Sequence, residues 1–352
     1  MTQHDRDFAL NRPGALIAAL PAVLGFVPER SLVLVSVERG QMGAVMRVDL
    51  SDAVADETDR LARVVAGAAP EAVIAVIVDA EGALCPMCNE DYRQLSEALA
   101  AALRSHRIEL WAVHVVDHVQ AGGRWHCVDG CESHGSVEDP AVSPLTVAAV
   151  VDGRRLYRSR ADLQTVIAIE DPNRAAALAE VINGLVIAGS AERSEDPDGC
   201  TRRGVRAAID AVNRVGGGGQ LSDAELAELG YALTDLTARD TLYALAVGRD
   251  AGEAETLWTM LARSLPLPWR TEALVLLAFS AYARGDGPLA GISLDEAIRG
   301  NPEHRMAGML DTALQSGMRP EQIRQLAVTG YRLAERLGVR LPPQRSYGRR
   351  AG

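Results

Sequence analysis

Residues 72–104 read AVIAVIVDAEGALCPMCNEDYRQLSEALAAALR, and this stretch decides the fold of the first half of the chain. Its apolar run, Val73–Val78, predicts a buried strand that ends at Asp79. A loop with the sequence Cys85-Pro86-Met87-Cys88 follows. Apolar residues then recur at helical spacing, namely Tyr92, Leu95, Leu99 and Leu103. A strand, a thiol-bearing loop and a helix in this order predict an α/β fold.

The composition excludes several classes of protein. The chain has 352 residues, enough for two domains, and its 48% hydrophobic and 24% charged residues are typical of a globular protein. The formal net charge of -11 disfavours binding to nucleic-acid phosphates. No apolar run reaches the roughly 18 residues of a membrane span, and the N-terminal segment lacks the pattern of a signal peptide. We therefore expect a cytoplasmic protein with no membrane or nucleic-acid partner.

Further apolar runs predict a mixed β-sheet around the opening stretch. Ser31–Val37 and Met42–Leu50 flank a turn with Gly40 and predict a hairpin. The other predicted strands are Ile108–Val116, Arg124–Val128 and Leu145–Val151. Because strands that alternate with helices pair in parallel, the centre of the sheet should be parallel and its edges antiparallel. Residues 1–168 are predicted to form this α/β domain.

The second half of the chain carries helical signals almost throughout. Asp171-Pro172 is an N-cap followed by proline at the first helical position, and Ser222–Glu225 is a capping box. Thr271–His304 predicts two closely packed helices that resemble a tetratricopeptide-type repeat. We expect an all-helical, tetratricopeptide-like domain over residues 169–340 and a flexible tail over 341–352.

Several short segments together resemble one known family. In the first half they are Arg12-Pro13-Gly14, Ala18-Ala19-Leu20-Pro21, Leu24-Gly25-Phe26-Val27-Pro28-Glu29, Ser31-Leu32-Val33 and Arg47-Val48-Asp49-Leu50; further along they are Ser159–Leu163 and Leu276–Asp295. These segments are similar to those of an actinobacterial family known only as domain of unknown function 4192, DUF4192. The resemblance covers most of the chain. It implies no activity, because the family has none assigned.

Four cysteines form two closely spaced pairs. Because the cytosol is reducing, they should be thiols, metal ligands or redox centres rather than structural disulfides. Cys85-x-x-Cys88 and Cys127-x-x-x-Cys131 together could supply four soft ligands to a structural zinc ion. Free thiols in surface loops are the alternative.

Thiol redox chemistry is a further possibility for Cys85-x-x-Cys88. A thiol at a helix N-terminus has a lowered pKa, because the helix dipole and the free N–H groups favour the thiolate. However, Asn89, Glu90 and Asp91 are good helix starters and predict a helix that begins only after Cys88. The two acidic residues would also raise the pKa of a nearby thiol.

Carboxylates offer one more candidate site. Asp49, Asp79 and Asp117 each follow an apolar strand and could hold Mg²⁺ if the three strands ran in the same direction. The hairpin predicts that at least one of the first two strands is antiparallel to the rest, and aspartate is also a common strand terminator.

The sequence gives no complete catalytic signature, so we expect a non-enzymatic interaction or regulatory protein without a cofactor. Stacked helix pairs form concave surfaces, and the helical domain would offer such a surface to a protein or peptide partner. The alternative is a zinc-binding or thiol-redox module centred on Cys85 and Cys88 with Cys127 and Cys131.

Overall fold

The chain folds into two compact units. The structure is a computed structural model, and it describes residues 10–51, 54–151 and 154–345. The first unit extends to Leu163 and also includes Gln315–Met318; the second consists of Gln164–Leu314 and the residues from Arg319 onward. Residues 1–9, where the sequence predicts no signal peptide, lie outside the described residues, as does most of the predicted tail, residues 346–352.

A six-stranded mixed sheet is the centre of the first unit. Its strands are β1 (Ser31–Glu38), β2 (Gln41–Asp49), β3 (Ala72–Val78), β4 (Glu109–Val116), β5 (Arg124–Cys127) and β6 (His134–Ser136). The spatial order is β2-β1-β3-β4-β5-β6. Only β3 and β4 pair in parallel, and the other neighbours are antiparallel. The predicted mixed α/β sheet is therefore confirmed.

Five α-helices accompany the sheet among the described residues of this part of the chain, together with a short 3-10 helix, Pro140–Val142. The α-helices are α1 (Pro13–Leu24), α2 (Thr58–Ala66), α3 (Pro86–Ser105), α4 (Pro144–Val151) and α5 (Arg160–Gln164). Helix α3 buries Leu95, Leu99 and Leu103 in one apolar cluster with β1, β3 and β4. Fully burying each such leucine contributes about 1.5–3 kcal/mol. This packing fixes the start of α3 close to the end of β3.

The prediction of a strand at Leu145–Val151 was wrong, because this run belongs to α4. The helix begins with Pro144, and the carbonyl of Ser143 accepts a hydrogen bond from the N–H of Val147 at 3.0 Å. Proline suits the first turn of a helix, where its missing N–H would have no helical partner. A short apolar run does not by itself distinguish a strand from a helix.

The second unit is helical, which confirms the predicted all-α half of the fold. Its helices are α6 (Pro172–Glu195), α7 (Pro197–Gly216), α8 (Asp223–Ala232), α9 (Leu236–Leu242), α10 (Ala251–Ser264), α11 (Trp269–Arg284), α12 (Gly287–Gly300), α13 (Arg305–Gln315) and α14 (Pro320–Leu337). Asp171 caps α6 and Ser222 forms a capping box on α8, both as predicted. The tetratricopeptide-like repeat stays a prediction.

One described helix, α6, is long and apolar enough to cross a bilayer by length and composition alone. It buries Ala175, Leu178 and Ile182, but only 17% of its most apolar window is buried. A single helix of this kind is weak evidence, since core helices of other proteins pass the same test. The expected absence of a membrane partner stays a prediction.

Candidate functional site

The thiol pair Cys85 and Cys88 lies where the chain leaves β3 and enters α3. The helix begins at Pro86, with Cys85 as its N-cap in an extended conformation. The prediction that the helix begins after Cys88 was therefore wrong. Proline at the first helical position sets the start, and Asn89, Glu90 and Asp91 lie inside the helix rather than before it.

Cys85 takes the position of a capping side chain. Its sulfur accepts a hydrogen bond from the backbone N–H of Cys88, with 3.4 Å between nitrogen and sulfur. Hydrogen bonds from this N–H, from the Cys88 thiol and from the N–H of Met87 lower the pKa of Cys85, in that order. Burial and, more weakly, the negative charge of Asp91 oppose them but do not reverse the shift. Cys85 is thus the thiol of the pair that ionises more easily.

The pKa of Cys88 is shifted in the opposite direction to that of Cys85. Its pKa is raised, first because its thiol donates a hydrogen bond to Cys85 and then because of burial. The negative charges of Cys85 and Asp79 raise it further. Cys88 packs against the apolar cluster beneath α3. The pair therefore combines one thiol whose pKa is lowered with one whose pKa is raised.

Asp79 is held beside this pair as an ionised carboxylate. The Tyr92 hydroxyl donates to Asp79 Oδ2 at 2.6 Å, and the N–H of Glu81 donates to Oδ1 at 3.1 Å. Burial raises the pKa of Asp79, but the hydrogen bonds from Tyr92, Gly82 and Glu81 outweigh it and leave the pKa below its usual value. A Cβ at Gly82 would overlap the Tyr92 hydroxyl and lie 2.5 Å from Asp79 Oδ2, so the loop needs glycine here.

Asn89 ties the cysteine loop to the sheet. Its Nδ2 donates to the carbonyls of Ala83 at 3.1 Å and Cys85 at 2.8 Å. Its Oδ1 lies 2.7 Å from His126 Nε2 on β5. Because the amide nitrogen is used by the two carbonyls, the imidazole N–H is the donor in the third bond. Three bonds from one side chain thus fix the backbone that carries Cys85.

The second thiol pair forms a separate cluster at the end of β5. Cys127, Asp129 and Cys131 each offer one ligand atom, and these three atoms lie within 4.8 Å of one another. His114 on β4 pairs across the sheet with Cys127, and its Nδ1 lies 3.1 Å from Cys127 Sγ. We call Cys127, Asp129 and Cys131 the β5 cluster.

The structure brings each predicted cysteine pair together, but Cys85 and Cys88 are not members of the β5 cluster. The fifth cysteine, Cys200, lies on α7 of the helical unit. The four-cysteine zinc site stays a prediction, and the experiment described below for the β5 cluster also tests it.

Strands β2, β3 and β4 run in the same direction, so the three aspartates considered for Mg²⁺ lie at the same end of these strands. Ser31 pairs with both Asp49 and Val78, so β2 and β3 end at the same side, and Val78 pairs with Val116 of β4. However, Asp49 pairs with Arg47, and Asp117 Oδ1 accepts the N–H groups of His118 and Arg124. Each carboxylate thus has its own partners within the fold.

A groove of about 590 Å³ lies between α3 and the first half of β4. Its lining includes Arg93, Glu97, Arg104, the half-exposed Trp111 and Asp129 of the β5 cluster. The groove therefore brings solvent and charged side chains to one member of the β5 cluster.

The model of one protein family, described as domain of unknown function (DUF4192), matches residues 13–321. The chain belongs to the DUF4192 family. The match spans both units of this DUF4192 protein. No curated protein and no solved structure matches the chain.

Sequence reasoning did not find all the residues that shape the site. It found Cys85, Cys88 and Asp79, but not Gly82, Tyr92 or Asn89 as their partners. The sequence pattern indicates Tyr92 only as an apolar position of α3. One signal was available: tyrosine and asparagine in the first two turns of a helix that starts at Pro86 lie near the loop that precedes it.

Proposed function

We propose that this DUF4192 protein carries out thiol–disulfide exchange, with Cys85 as the attacking thiol and Cys88 as the resolving thiol. One observation supports the proposal most strongly: Cys85 is the N-cap of α3, and its sulfur accepts the N–H of Cys88 at 3.4 Å. Free N–H groups at a helix start stabilise a thiolate, which is the reactive form of cysteine.

The exchange proceeds in two balanced steps with a substrate disulfide. The Cys85 thiolate attacks one substrate sulfur, so a mixed disulfide forms and the other substrate sulfur leaves as a thiolate. The Cys88 thiolate then attacks Cys85 Sγ, which releases the remaining substrate sulfur and forms the Cys85–Cys88 disulfide. Two electrons pass from the protein to the substrate, and two protons convert the released thiolates to thiols.

The opposite pKa shifts suit these two roles. The lowered pKa of Cys85 provides the first nucleophile. The raised pKa of Cys88 keeps that sulfur protonated while Cys85 is an anion. Once Cys85 has reacted its negative charge is gone, and one of the causes that raise the pKa of Cys88 disappears with it. The attack of Cys88 on Cys85 Sγ is therefore easier after the mixed disulfide has formed.

Equilibration with reduced and oxidised glutathione tests the proposal. The purified full chain is incubated at graded glutathione ratios, its free thiols are trapped by alkylation, and the peptides are measured by mass spectrometry. We expect a Cys85–Cys88 disulfide that forms in one two-electron transition. Cys88→Ser should stop at a mixed disulfide between Cys85 and glutathione.

Cys200→Ser is the matched control, because Cys200 lies in the helical unit, and it should leave the transition unchanged. If Cys85 and Cys88 stay separately alkylated at every glutathione ratio, the proposed exchange is wrong. The same holds if Cys88→Ser traps no glutathione on Cys85.

The predicted protein-binding role of the helical unit is a second candidate, and the exposed face of α6 favours it. Val181 and Ile187 are 48% and 76% exposed, and nothing lies within 4 Å of a Cβ built on Gly184. Antiparallel pairing with a second copy, centred on Gly184, would place Val181 opposite Ile187 and Ala177 opposite Ala191. We propose this second copy as the partner, since a two-fold contact requires a self-complementary face.

Sedimentation velocity tests this candidate. The full chain should sediment as a dimer, and the double variant Val181→Glu, Ile187→Glu as a monomer, because buried carboxylates oppose the contact. Val186→Glu is the matched control, since Val186 is exposed on a different face of α6. A monomer of the unaltered chain at every concentration would exclude the contact.

A further inference from the structure

We propose that the β5 cluster binds a thiophilic divalent cation, represented by zinc, through Cys127 Sγ, an Asp129 carboxylate oxygen and Cys131 Sγ. The three ligand atoms lie within 4.8 Å of one another, as atoms around a single small cation do. This cation site shares no residue with the proposed exchange at Cys85 and Cys88, and it does not depend on that function.

The sheet holds the loop that carries these ligands. The N–H of Cys127 donates to the carbonyl of Ser133 at 2.8 Å, and the N–H of Val128 donates to the carbonyl of Val113 at 3.1 Å. Gly130 has a φ of +86°, which turns the chain back so that Cys131 approaches Cys127. The ligands therefore converge because of the backbone, before any cation is present.

Three anionic groups at this distance need a cation if all are to ionise. As anions within 4.8 Å of one another they would repel, and a divalent cation would offset that repulsion because it attracts both thiolates and the carboxylate. Two thiolates and one carboxylate with a divalent cation leave a net charge of only −1.

His114 supports the cluster from the neighbouring strand. Its Nδ1 lies 3.1 Å from Cys127 Sγ, and its ring packs edge-on against Trp125 with 5.2 Å between centroids. An imidazole with a proton on Nδ1 can donate this N–H to the thiolate of Cys127. Such a donor orients a metal-bound sulfur from outside the ligand set.

The ligand set selects the class of cation. Thiolates suit zinc and similar thiophilic metals, whereas Mg²⁺ and Ca²⁺ require oxygen ligands. Three protein ligands leave the fourth tetrahedral position to solvent or a further donor. Asp129 also lines the groove beside α3, so a molecule in that groove would lie next to one of the cation's ligands.

Cobalt(II) is the probe for this site, because cobalt bound to thiolates gives sulfur-to-metal charge-transfer absorption. The full chain, reduced and freed of metal, is titrated with cobalt(II) and then with zinc(II). We expect one cobalt per chain with charge-transfer absorption, and zinc should abolish it by displacement. Cys131→Ser should remove the absorption without unfolding the protein, since Cys131 is exposed. Asp129→Asn should weaken cobalt binding at least about tenfold, the smallest loss that mutation of a residue supporting a metal site usually causes.

The double variant Cys85→Ser, Cys88→Ser is the decisive control. Retention of the charge-transfer absorption in this variant supports the β5 cluster as the complete cysteine set. Its loss would overturn the assignment in favour of a four-cysteine site. The assignment also fails if the unaltered chain shows no charge-transfer absorption, or if Cys131→Ser retains it. Circular dichroism of each variant separates loss of binding from loss of fold.

Discussion

Two cysteines only three residues apart differ in what surrounds their sulfur atoms. Cys85 accepts hydrogen bonds at the start of α3, whereas Cys88 donates one and packs against apolar side chains. The difference arises from the backbone, because the first turn of a helix directs its N–H groups toward the N-cap. The chemistry of each thiol thus depends on its position relative to Pro86.

Gly82→Ala tests how closely the residues around Asp79 are packed. The added Cβ would overlap the Tyr92 hydroxyl and approach Asp79 Oδ2, so one of them must move. Overpacking of this kind costs about 1–3 kcal/mol. We expect a lower melting temperature of the α/β unit in calorimetry. Gly308→Ala is the control, since nothing lies within 4 Å of a Cβ there and alanine stabilises a helix. Equal effects of the two variants would contradict the packing described here.

At the residue scale, the sequence predicts which cysteines pair but not which side chains surround them. Cys85, Cys88, Cys127 and Cys131 are recognisable by type and spacing. The bonds from Tyr92 to Asp79 and from Asn89 to His126 are not, because they join residues 13 and 37 positions apart. Such contacts depend on how α3 packs on the sheet, which the periodicity of the helix alone does not fix.

Among the elements, α3 connects the fold to the candidate chemistry. The opening stretch predicted its strand and helix correctly, because a long amphipathic pattern identifies a helix well. The start of the helix was misplaced, since polar residues that favour helix starts follow Pro86 closely. The same signal, a proline at the first helical position, was missed at Pro144 and led to the wrong strand at Leu145–Val151.

Asn89→Ala tests the role of the α3 start. The variant removes the bonds to the carbonyls of Ala83 and Cys85 and to His126. We expect faster amide hydrogen exchange over residues 83–89 and a pH midpoint for Cys85 alkylation closer to that of an ordinary thiol. Asn183→Ala on the exposed side of α6 should change neither. Unchanged amide hydrogen exchange in the Asn89→Ala variant would show that the loop is held by its backbone alone.

At the scale of the whole molecule, the helical unit contains a largely buried ionic cluster of Arg239, Glu272 and His304. Glu272 accepts from Arg239 at 3.1 Å and lies 3.1 Å from His304 Nε2. Burial raises the pKa of Glu272, but the hydrogen bond with His304 and the charge of Arg239 outweigh it, so the pKa is lowered. Such clusters do not follow from helical periodicity, although the helices themselves were predicted.

Acid should therefore destabilise the helical unit through Glu272. A carboxyl with a lowered pKa stabilises the fold above its unfolded pKa, and that contribution is lost as the pH falls through the folded pKa. Glu272→Gln should lower the melting temperature at neutral pH and flatten its decline on acidification. The cost should stay below the roughly 3–5 kcal/mol of a fully buried pair, because Asp240 still pairs with Arg239. If Glu272→Gln and the exposed control Glu335→Gln melt alike at neutral pH, the cluster contributes no stability.

We propose that the start of α3 makes Cys85 a reactive thiolate, and the pH dependence of its alkylation tests this most directly. The reduced full chain is treated with iodoacetamide over a range of pH, and the rate at each cysteine is measured by mass spectrometry of its peptide. We expect the rate at Cys85 to reach half its maximum at a pH below the ordinary thiol pKa of about 8.5, and the rate at Cys88 above it. Equal midpoints for the two cysteines, or a Cys85 midpoint at or above the ordinary value, would contradict the account.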